Sequence, residues 1–453
     1  MRWSRLTGAI LTVLMVAAGC TDKPAQPDPS AGPAAPLASV TTMPEAPAAV
    51  AAGRTAIELA VSTSRLLFAS APAAVLVGAD DQASMADATA TAQRLGVPLL
   101  ATPSTTVSPP PEAPAEPEAS ASPEVRPAAQ QPAAQQPAPQ QPAPQQPAAQ
   151  QDSNGSEELL AEIERLAART LVTVGDAAHA WATGAGLPAD GPAVLTHAGV
   201  ESALPAVQPP TAIDDLLVLA QDEPASQAAI ATARAAGARV LLVSNPDPRT
   251  SNETIEALAS QPTDRVLGIG DAFGTAEILR QRVDTAATGV LLPGGGQVLF
   301  PGRRMVALYG HPGDTGLGAL GEQSLDAAVK RAKKVAASYQ SLVDEPVIPA
   351  FEIITTVASA SAGPDGDYSS ESSIEHIKPW VDAAKKEGIY VVLDLQPGRT
   401  DFLTQAKRYA ELLKEPHVGL ALDPEWRLAP GQRHMVQIGS VSAKEVNATA
   451  EWL

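Results

Sequence analysis

The chain of 453 residues has few of the groups that many proteins use for covalent stability and for nucleic-acid binding. It contains one cysteine, Cys20, and only five each of Phe, Trp and Tyr. A single cysteine cannot form an intrachain disulfide or a thiolate metal site, so packing must stabilise the folded parts. Basic residues are also scarce, with 31 Lys and Arg against 50 Asp and Glu and a formal charge of −19. This balance argues against nucleic acid as a partner, because such binding needs clustered positive charge.

Long apolar runs are scarce as well, and the one notable apolar segment lies at the N-terminus. Arg2 and Arg5 precede a short apolar run over 11–16, and Ala17, Ala18 and Gly19 lead into Cys20. A permanent membrane span needs roughly 20 apolar residues, so this segment is too short for one. Its order of positive, apolar and small residues is typical of a signal peptide.

The ending Ala-Ala-Gly-Cys resembles the lipobox of a bacterial lipoprotein signal peptide. The resemblance implies removal of residues 1–19 and lipidation of Cys20 with a diacylglycerol and acyl chains such as palmitate. Anchoring by more than one acyl chain is stable, whereas a single chain binds membranes only marginally. We therefore expect a protein held on the outer face of the cell membrane. The alternatives are an ordinary secretory signal or an uncleaved anchor with an incidental cysteine.

Two segments have a composition too poor in apolar bulk to fold. Residues 21–52 are rich in Pro and Ala, and residues 102–152 contain five tandem pentapeptides of the type PAAQQ or PAPQQ over 127–151. Such segments cannot bury enough apolar surface to offset the entropy of ordering. We expect the first to be a disordered tether and the second a disordered insertion.

The segments around the insertion share one order of elements. Apolar runs over 75–78, 97–101 and 171–174 alternate with two helical patterns, and the runs over 216–220, 240–244 and 266–270 do the same. Short, continuously apolar strands that alternate with helices predict a parallel sheet covered on both faces. Residues 53–101 and 153–300 are therefore predicted to form a doubly wound α/β repeat domain.

These two copies resemble the cell wall-binding repeat of exported proteins from Gram-positive bacteria. The matching stretches are Gly96-Val97-Pro98-Leu99-Leu100 with Val172-Thr173-Val174-Gly175, and Gly237-Ala238-Arg239-Val240-Leu241 with Val266-Leu267-Gly268-Ile269-Gly270. The resemblance implies association with cell-wall polysaccharide or peptidoglycan. The alternative is a generic doubly wound domain whose glycines only end strands. Since neither glycine turn has the G-x-G-x-x-G spacing that binds a dinucleotide, no cofactor is expected.

Residues 303–453 show a different rhythm, which predicts a third α/β unit. Four apolar strands over 305–309, 347–355, 389–395 and 418–422 alternate with helical patterns over 324–339, 373–386 and 400–413. This order resembles the first half of a (β/α)8 barrel, whose chemistry lies at the carboxyl ends of the strands. The segment also resembles the glycoside-hydrolase-like C-terminal domain of actinobacterial lipoproteins. At about 150 residues it is expected to be an incomplete barrel.

Polar side chains follow these strands, and we identify candidate catalytic acids among them. Asp394, Asp423 and Glu352 are the candidates, because two carboxylates on adjacent strands about 5–7 Å apart suit glycoside hydrolysis. The candidate substrate-binding residues are Tyr309, His311, Gln396, Glu425 and Trp426. The alternative is that some of these acids cap helices or pair with Arg399 and Arg427.

No metal site is expected, because the acidic string 365–368 lacks the length and terminal glutamate of an EF-hand. Taken together, the patterns predict a wall-associated surface lipoprotein with a glycoside-hydrolase-like domain that acts on or binds envelope polysaccharide. Two alternatives stay open at this stage. One is a non-enzymatic binding or scaffolding lipoprotein with a degenerate barrel, and the other is a two-lobed solute-binding lipoprotein.

Overall fold

The computed structural model describes residues 37–103, 148–200, 207–208 and 210–453. The predicted signal peptide with Cys20 and most of the predicted Pro-rich insertion lie outside these residues. The described part is an α/β fold with two four-stranded parallel sheets, one five-stranded sheet and two pairs of short strands, which agrees with the predicted α/β class. None of its helices combines the length and apolar character that crossing a membrane requires.

The elements of the described residues are as follows. The strands are β1 Leu37–Ala38, β2 Val40–Thr41, β3 Ala48–Ala51, β4 Phe68–Ser70, β5 Ala73–Gly78, β6 Leu99–Thr102, β7 Thr170–Val174, β8 Ala193–Thr196, β9 Val207–Gln208, β10 Leu216–Ala220, β11 Arg239–Leu242, β12 Arg265–Ile269, β13 Arg304–Gly310, β14 Val347–Ala358, β15 Ser369–Glu371, β16 Tyr390–Leu395 and β17 Val418–Leu422. The helices are α1 Ala56–Leu67, α2 Gln82–Leu95, α3 Ala148–Arg165, α4 Asp176–Gly184, α5 Gln227–Ala235, α6 Asn252–Ser260, α7 Ala276–Ala287, α8 Leu325–Tyr339, α9 Ile374–Glu387, α10 Phe402–Arg408, α11 Ala410–Leu413 and α12 Ala443–Trp452.

The first two sheets have matching topologies. The first sheet has the order β6-β5-β7-β8, and the second has the order β11-β10-β12-β3. In both, the chain runs strand, helix, strand, helix, strand, and the third strand returns to the other side of the first. The predicted order of elements in the two copies is therefore confirmed. The continuous apolar runs arise because both faces of the central strands are buried, as they are throughout β5 and β10.

The prediction of a disordered tether over 21–52 is wrong for its second half, because β1, β2 and β3 lie within it and pair with other strands. Residues 48–51 form β3, which pairs in parallel with β12 and completes the second sheet. Ala51 at the end of this strand is fully buried. Small alanines carry little apolar signal, but a strand at this position needs only backbone hydrogen bonds and close packing. The predicted insertion is likewise shortened, since Thr102 belongs to β6 and residues 148–152 belong to α3.

The first two sheets share one hydrophobic core, which lies around α1 and α5. The core combines β5 and β7 of the first sheet with alternate residues of β10 and β12 from the second. One side chain joins α5 directly to the first sheet: the Thr232 hydroxyl donates to the carbonyl of Leu99 at 2.8 Å and accepts from its N–H at 3.0 Å. The opposite face of the second sheet packs against α6 and α7.

The third sheet has its strands in chain order, β13-β14-β16-β17, all parallel. This arrangement confirms the four predicted strands and the helices between them. A short strand that was not predicted, β15, pairs antiparallel with the carboxyl end of β14. The intervening helices pack against one face of this sheet, in the core that contains Phe351, Ile353 and Leu393, so the alternate residues of these strands belong to the other face.

Candidate active site

Three carboxylates lie in a diagonal row on neighbouring strands of the third sheet, with Glu352 in the middle of β14, Asp394 next to the last residue of β16 and Asp423 directly after β17. Glu352 stands two residues before Ile354 on β14, and Ile354 pairs with Asp394 on β16. Asp394 pairs with Ala421 on β17, two residues before Asp423. Because side chains alternate along a strand, all three acids belong to the same face. Each acid is thus one strand over and two residues further along than the previous one.

This register places Asp394 and Asp423 diagonally and not directly opposite each other. The expected separation of about 5–7 Å assumed that Asp394 and Asp423 stand side by side on adjacent strands. A diagonal step combines one strand spacing with two residues of rise, so the two Cα atoms are about 8 Å apart. A diagonal pair leaves more room between the side chains than a directly opposed pair.

The alternation of side chains separates the acid face from the helix face. On β16, Val391, Leu393 and Leu395 are buried in the core formed with the helices. Asp394 stands between the last two of these and points to the opposite face. The packing of the apolar set thereby fixes the direction of the carboxyl group, because a shift of one residue would expose the whole set.

Asp394 is the most buried of the three acids, with 3% of its surface exposed. Burial and, after it, the nearby charges of Asp423 and Glu352 raise the pKa of its carboxyl to about 7, although a hydrogen bond with Gln396 opposes the change. A carboxyl with this pKa is about half neutral at pH 7. Asp394 can therefore donate a proton under conditions in which ordinary carboxylates cannot.

The other two acids are half-buried. Burial raises the pKa of Glu352 above its ordinary value. Burial also raises the pKa of Asp423, the charge of Glu425 adds to this, and hydrogen bonds from the Glu425 backbone and the Trp426 side chain oppose it. The Asp423 backbone N–H donates to the carbonyl of Leu395 at 3.1 Å, which ties the end of β17 to β16. Asp423 therefore keeps more solvent contact and more hydrogen-bond support for its charged form than Asp394 does.

Tyr309 and Gln396 border the acids, as predicted. Tyr309 pairs with Glu352 across β13 and β14, and the Gln396 amide donates to its hydroxyl at 3.3 Å. Burial and the charges of Asp394, Asp423 and Glu352 raise the pKa of Tyr309 to about 12, so the phenol stays protonated. The Gln396 carbonyl accepts from the N–H of Ala358 at 2.9 Å, which fixes the orientation of the amide.

Arg399 and Arg427, the two arginines considered as partners of these acids, make other contacts. The Nε of Arg427 donates to Glu445 at 2.8 Å. The guanidinium of Arg399 lies 4.4 Å from the ring centre of Tyr368, and its Nη2 donates to the carbonyl of Gln432 at 2.9 Å. These contacts favour mutual repulsion among the acids rather than ion pairing as the main electrostatic effect at the site.

His311 belongs to a different group of side chains from the acids. Its Nε2 lies 2.9 Å from the hydroxyl of Ser372, and its ring stacks on His376 with centroids 5.5 Å apart. Burial and the neighbouring His376 lower the pKa of His311, so it is neutral at pH 7. The period-two pattern placed His311 on the face of Tyr309, but Gly310 ends β13 with φ +144° and the alternation stops there.

Trp426 and Glu425 are placed beside Asp423 by a single helical turn, Pro424–Trp426, that follows β17. The Trp426 ring meets His434 edge to face at 5.2 Å. Glu425 and Trp426, together with residues 435–438, line a cavity of about 280 Å³. Sequence reasoning missed His434 and residues 435–438, because their contact with Trp426 depends on a long loop without periodic pattern. The one available signal in the sequence was the presence of Met435, Val436 and Ile438 in an otherwise polar stretch.

A second acidic group, formed by Asp365, Asp367 and Glu371, has carboxylate oxygens within 4.8 Å of one another. Asp367 accepts from the Ser369 N–H at 2.8 Å and from the Thr400 hydroxyl at 2.7 Å. Glu371 lies 3.5 Å from the guanidinium of Arg408. These partners give the two less exposed carboxylates a structural role in holding β15 and the start of α10.

Comparison with family models, with curated proteins and with solved structures gives no match for this chain.

Proposed function

We propose that the chain is a lipid-anchored protein of the cell envelope whose third unit hydrolyses glycosidic bonds in envelope polysaccharide. The observation that carries the proposal is the diagonal row of three carboxylates on adjacent parallel strands, which form no ion pair among the described residues and of which one has a pKa of about 7. Glycoside hydrolysis needs a neutral carboxylic acid beside an ionised carboxylate. Strand order in this unit is compatible with a barrel-like enzyme built from βα units.

The environments of the acids suggest their roles. Asp394 is the general acid, because its burial keeps a proton available for the leaving oxygen near neutral pH. Asp423 is the base or nucleophile, since it is more exposed and its charged form accepts hydrogen bonds. Glu352 contributes negative charge that supports the proton on Asp394, and Tyr309 offers a hydroxyl to the substrate.

Wall association is proposed separately for the first two sheets, on the repeated order of elements that they share. The corresponding test is sedimentation of the protein with purified actinobacterial cell wall. Binding without any sugar release would favour the second candidate, a scaffolding lipoprotein whose acid site only holds glycan.

The pH dependence of turnover follows from the role of Asp394. The value of kcat/KM should fall above about pH 7, because the acid must be protonated in the free enzyme and its pKa is about 7. This fall of kcat/KM at high pH is measured by a pH profile of reducing-sugar release from soluble wall polysaccharide. Activity that stays constant up to pH 9 would contradict the assignment of Asp394 as the acid.

Lipid anchoring is tested at Cys20. Cys20→Ser removes the thiol that the proposed modification needs, so we expect the protein to move from the membrane fraction to the soluble fraction of expressing cells. Substitution of the neighbouring Thr21 by Ser keeps Cys20 and should leave the protein with the membranes. Retention of the Cys20→Ser protein in membranes would show that the leader acts as an ordinary uncleaved anchor.

A further inference from the structure

The loop that follows Trp426 presents apolar side chains to solvent beside the acid row. Met435, Val436 and Ile438 are 91%, 75% and 83% exposed. We call residues 435–438 the apolar loop. In a chain with few large apolar residues to spare, three of them at this exposure within four positions form a patch of the kind that marks a binding surface.

Several contacts hold the ends of the apolar loop in place. His434 packs against Trp426, and its Nε2 lies 3.0 Å from the carbonyl of Tyr368. On the other side, the Gly439 N–H donates to the carbonyl of Glu425 at 2.6 Å. A Cβ at Gly439 would lie 2.3 Å from the carbonyl oxygen of Arg427, so only glycine allows this approach. The loop is therefore fixed to the same turn that carries Glu425 and Trp426.

Met435 itself has a backbone conformation that unbranched L residues seldom adopt. Its φ is +62°, in the left-handed region, which costs roughly 1 kcal/mol or more for a residue with a Cβ. No burial of the Met435 side chain offsets this cost, since the side chain is almost fully exposed. Such a combination is expected where the position of an exposed side chain serves binding rather than stability.

The apolar loop is continuous with the acid row. Glu425 and Trp426 line the 280 Å³ cavity together with the loop, and both also interact with the carboxyl of Asp423. A ligand that crosses this surface meets carboxylates at one end, an aromatic ring next, and aliphatic side chains at the other end. This spatial order of carboxylates, aromatic ring and aliphatic side chains fits a molecule with a sugar at one end and a hydrocarbon chain at the other.

We propose that the site takes a glycoside whose aglycone is an alkyl chain, with the sugar at Asp394 and Asp423 and the chain along the apolar loop. The proposal rests on the proposed function for the orientation of the sugar. A lipid-linked saccharide is the natural form of such a ligand, and it would be within reach of a protein held at the membrane surface. Binding of lipid that carries no sugar would be a different activity of this surface, and the experiment distinguishes it from glycoside binding.

The experiment measures binding of n-alkyl β-D-glucosides and n-alkyl α-D-mannosides, with methyl, butyl, hexyl and octyl chains, to the full chain by titration calorimetry below micelle-forming concentrations. We expect the dissociation constant to fall by about two- to fourfold per added methylene for at least one head group, as buried CH₂ groups contribute on that scale. The triple variant Met435→Ser, Val436→Ser, Ile438→Ser should lose this dependence on chain length. The matched control Leu342→Ser, which removes a side chain that is 73% exposed elsewhere on the same unit, should keep it.

The outcomes separate this inference from the proposed function. Chain-length dependence that vanishes in the triple variant, without any cleavage of a glycoside or of wall polysaccharide, would support the inference and overturn the hydrolase. Cleavage of wall polysaccharide by wild type and triple variant alike, with no chain-length dependence in either, would overturn the inference and leave the hydrolase intact. Binding of sugar-free phosphatidylcholine vesicles that also requires the apolar loop would overturn the inference too, since the loop would then contact the membrane and not the chain of a glycoside.

Discussion

Replacement of Asp394 by Asn should lower kcat for cleavage of wall polysaccharide by about 10²–10⁴-fold, the usual contribution of a general acid. The amide has nearly the same shape but carries no proton that it can transfer to a leaving oxygen. Since a general acid transfers its proton only in the transition state, the effect should fall on kcat more than on KM. Initial rates of reducing-sugar release at pH 6 measure both constants.

Two further variants make this result specific. Asp423→Asn should reduce turnover to a similar extent, because the base or nucleophile would be lost. Asp382→Asn makes the same chemical change on α9, where the carboxyl is 59% exposed and paired with Lys378 at 2.8 Å, and should leave turnover unchanged. Unaltered cleavage in both Asp394→Asn and Asp423→Asn would remove these residues from the mechanism.

Asp394→Asn should also stabilise the fold at high pH. Burial and repulsion raise the pKa of Asp394 from 3.8 to about 7, so the native protein must ionise a buried carboxyl above neutrality. Since each pKa unit corresponds to 1.36 kcal/mol, Asp394→Asn should increase the free energy of unfolding at pH 8 by as much as about 4 kcal/mol. Urea unfolding at several pH values measures the difference between variant and wild type.

The pH window of this gain follows from the direction of the shift. Below pH 3.8 the carboxyl is neutral in both native and unfolded chains, and the advantage of Asn is small. Between pH 3.8 and about 7 the unfolded chain ionises first, so the wild type loses stability relative to the variant as pH rises. Above pH 7 the difference is complete. A stability difference that does not change between pH 4 and pH 8 would show that Asp394 is not held neutral by the fold.

Loss of turnover together with a gain of stability would be characteristic of a functional site. Repelling carboxylates at the ends of strands contribute nothing favourable to folding, and a structural role would instead predict destabilisation on substitution. The exposed Asp382 provides the comparison for stability as well, because its substitution should give no gain of this size.

The sequence allowed prediction of the strands of the third sheet because each is a short apolar run with a clear polar end. On β16, Asp394 stands between Leu393 and Leu395, and the burial of these two residues against the helices places Asp394 on the opposite face. The repeated order of elements in the first two sheets was predicted for the same reason, since buried strands such as β5 and β10 are continuously apolar.

What could not be predicted depends on contacts between distant segments. Residues 48–51 pair with β12, more than 200 residues away, and their alanines give no strand pattern. The diagonal placement of Asp394 and Asp423 depends on register, which local periodicity does not determine. His311 left the acid face because Gly310 adopts a positive φ at the end of β13. The apolar loop reaches Trp426 only through His434 and Gly439, whose contacts depend on tertiary structure.

The most direct test of the account is the amount of reducing sugar released from purified actinobacterial cell wall by the chain from Thr21 onward, with the Asp394→Asn protein as the blank. The account predicts release by the wild type that is at least 100-fold faster than by the variant at pH 6. Equal release by both proteins, or none from either while both sediment with the wall, would contradict the proposed hydrolysis.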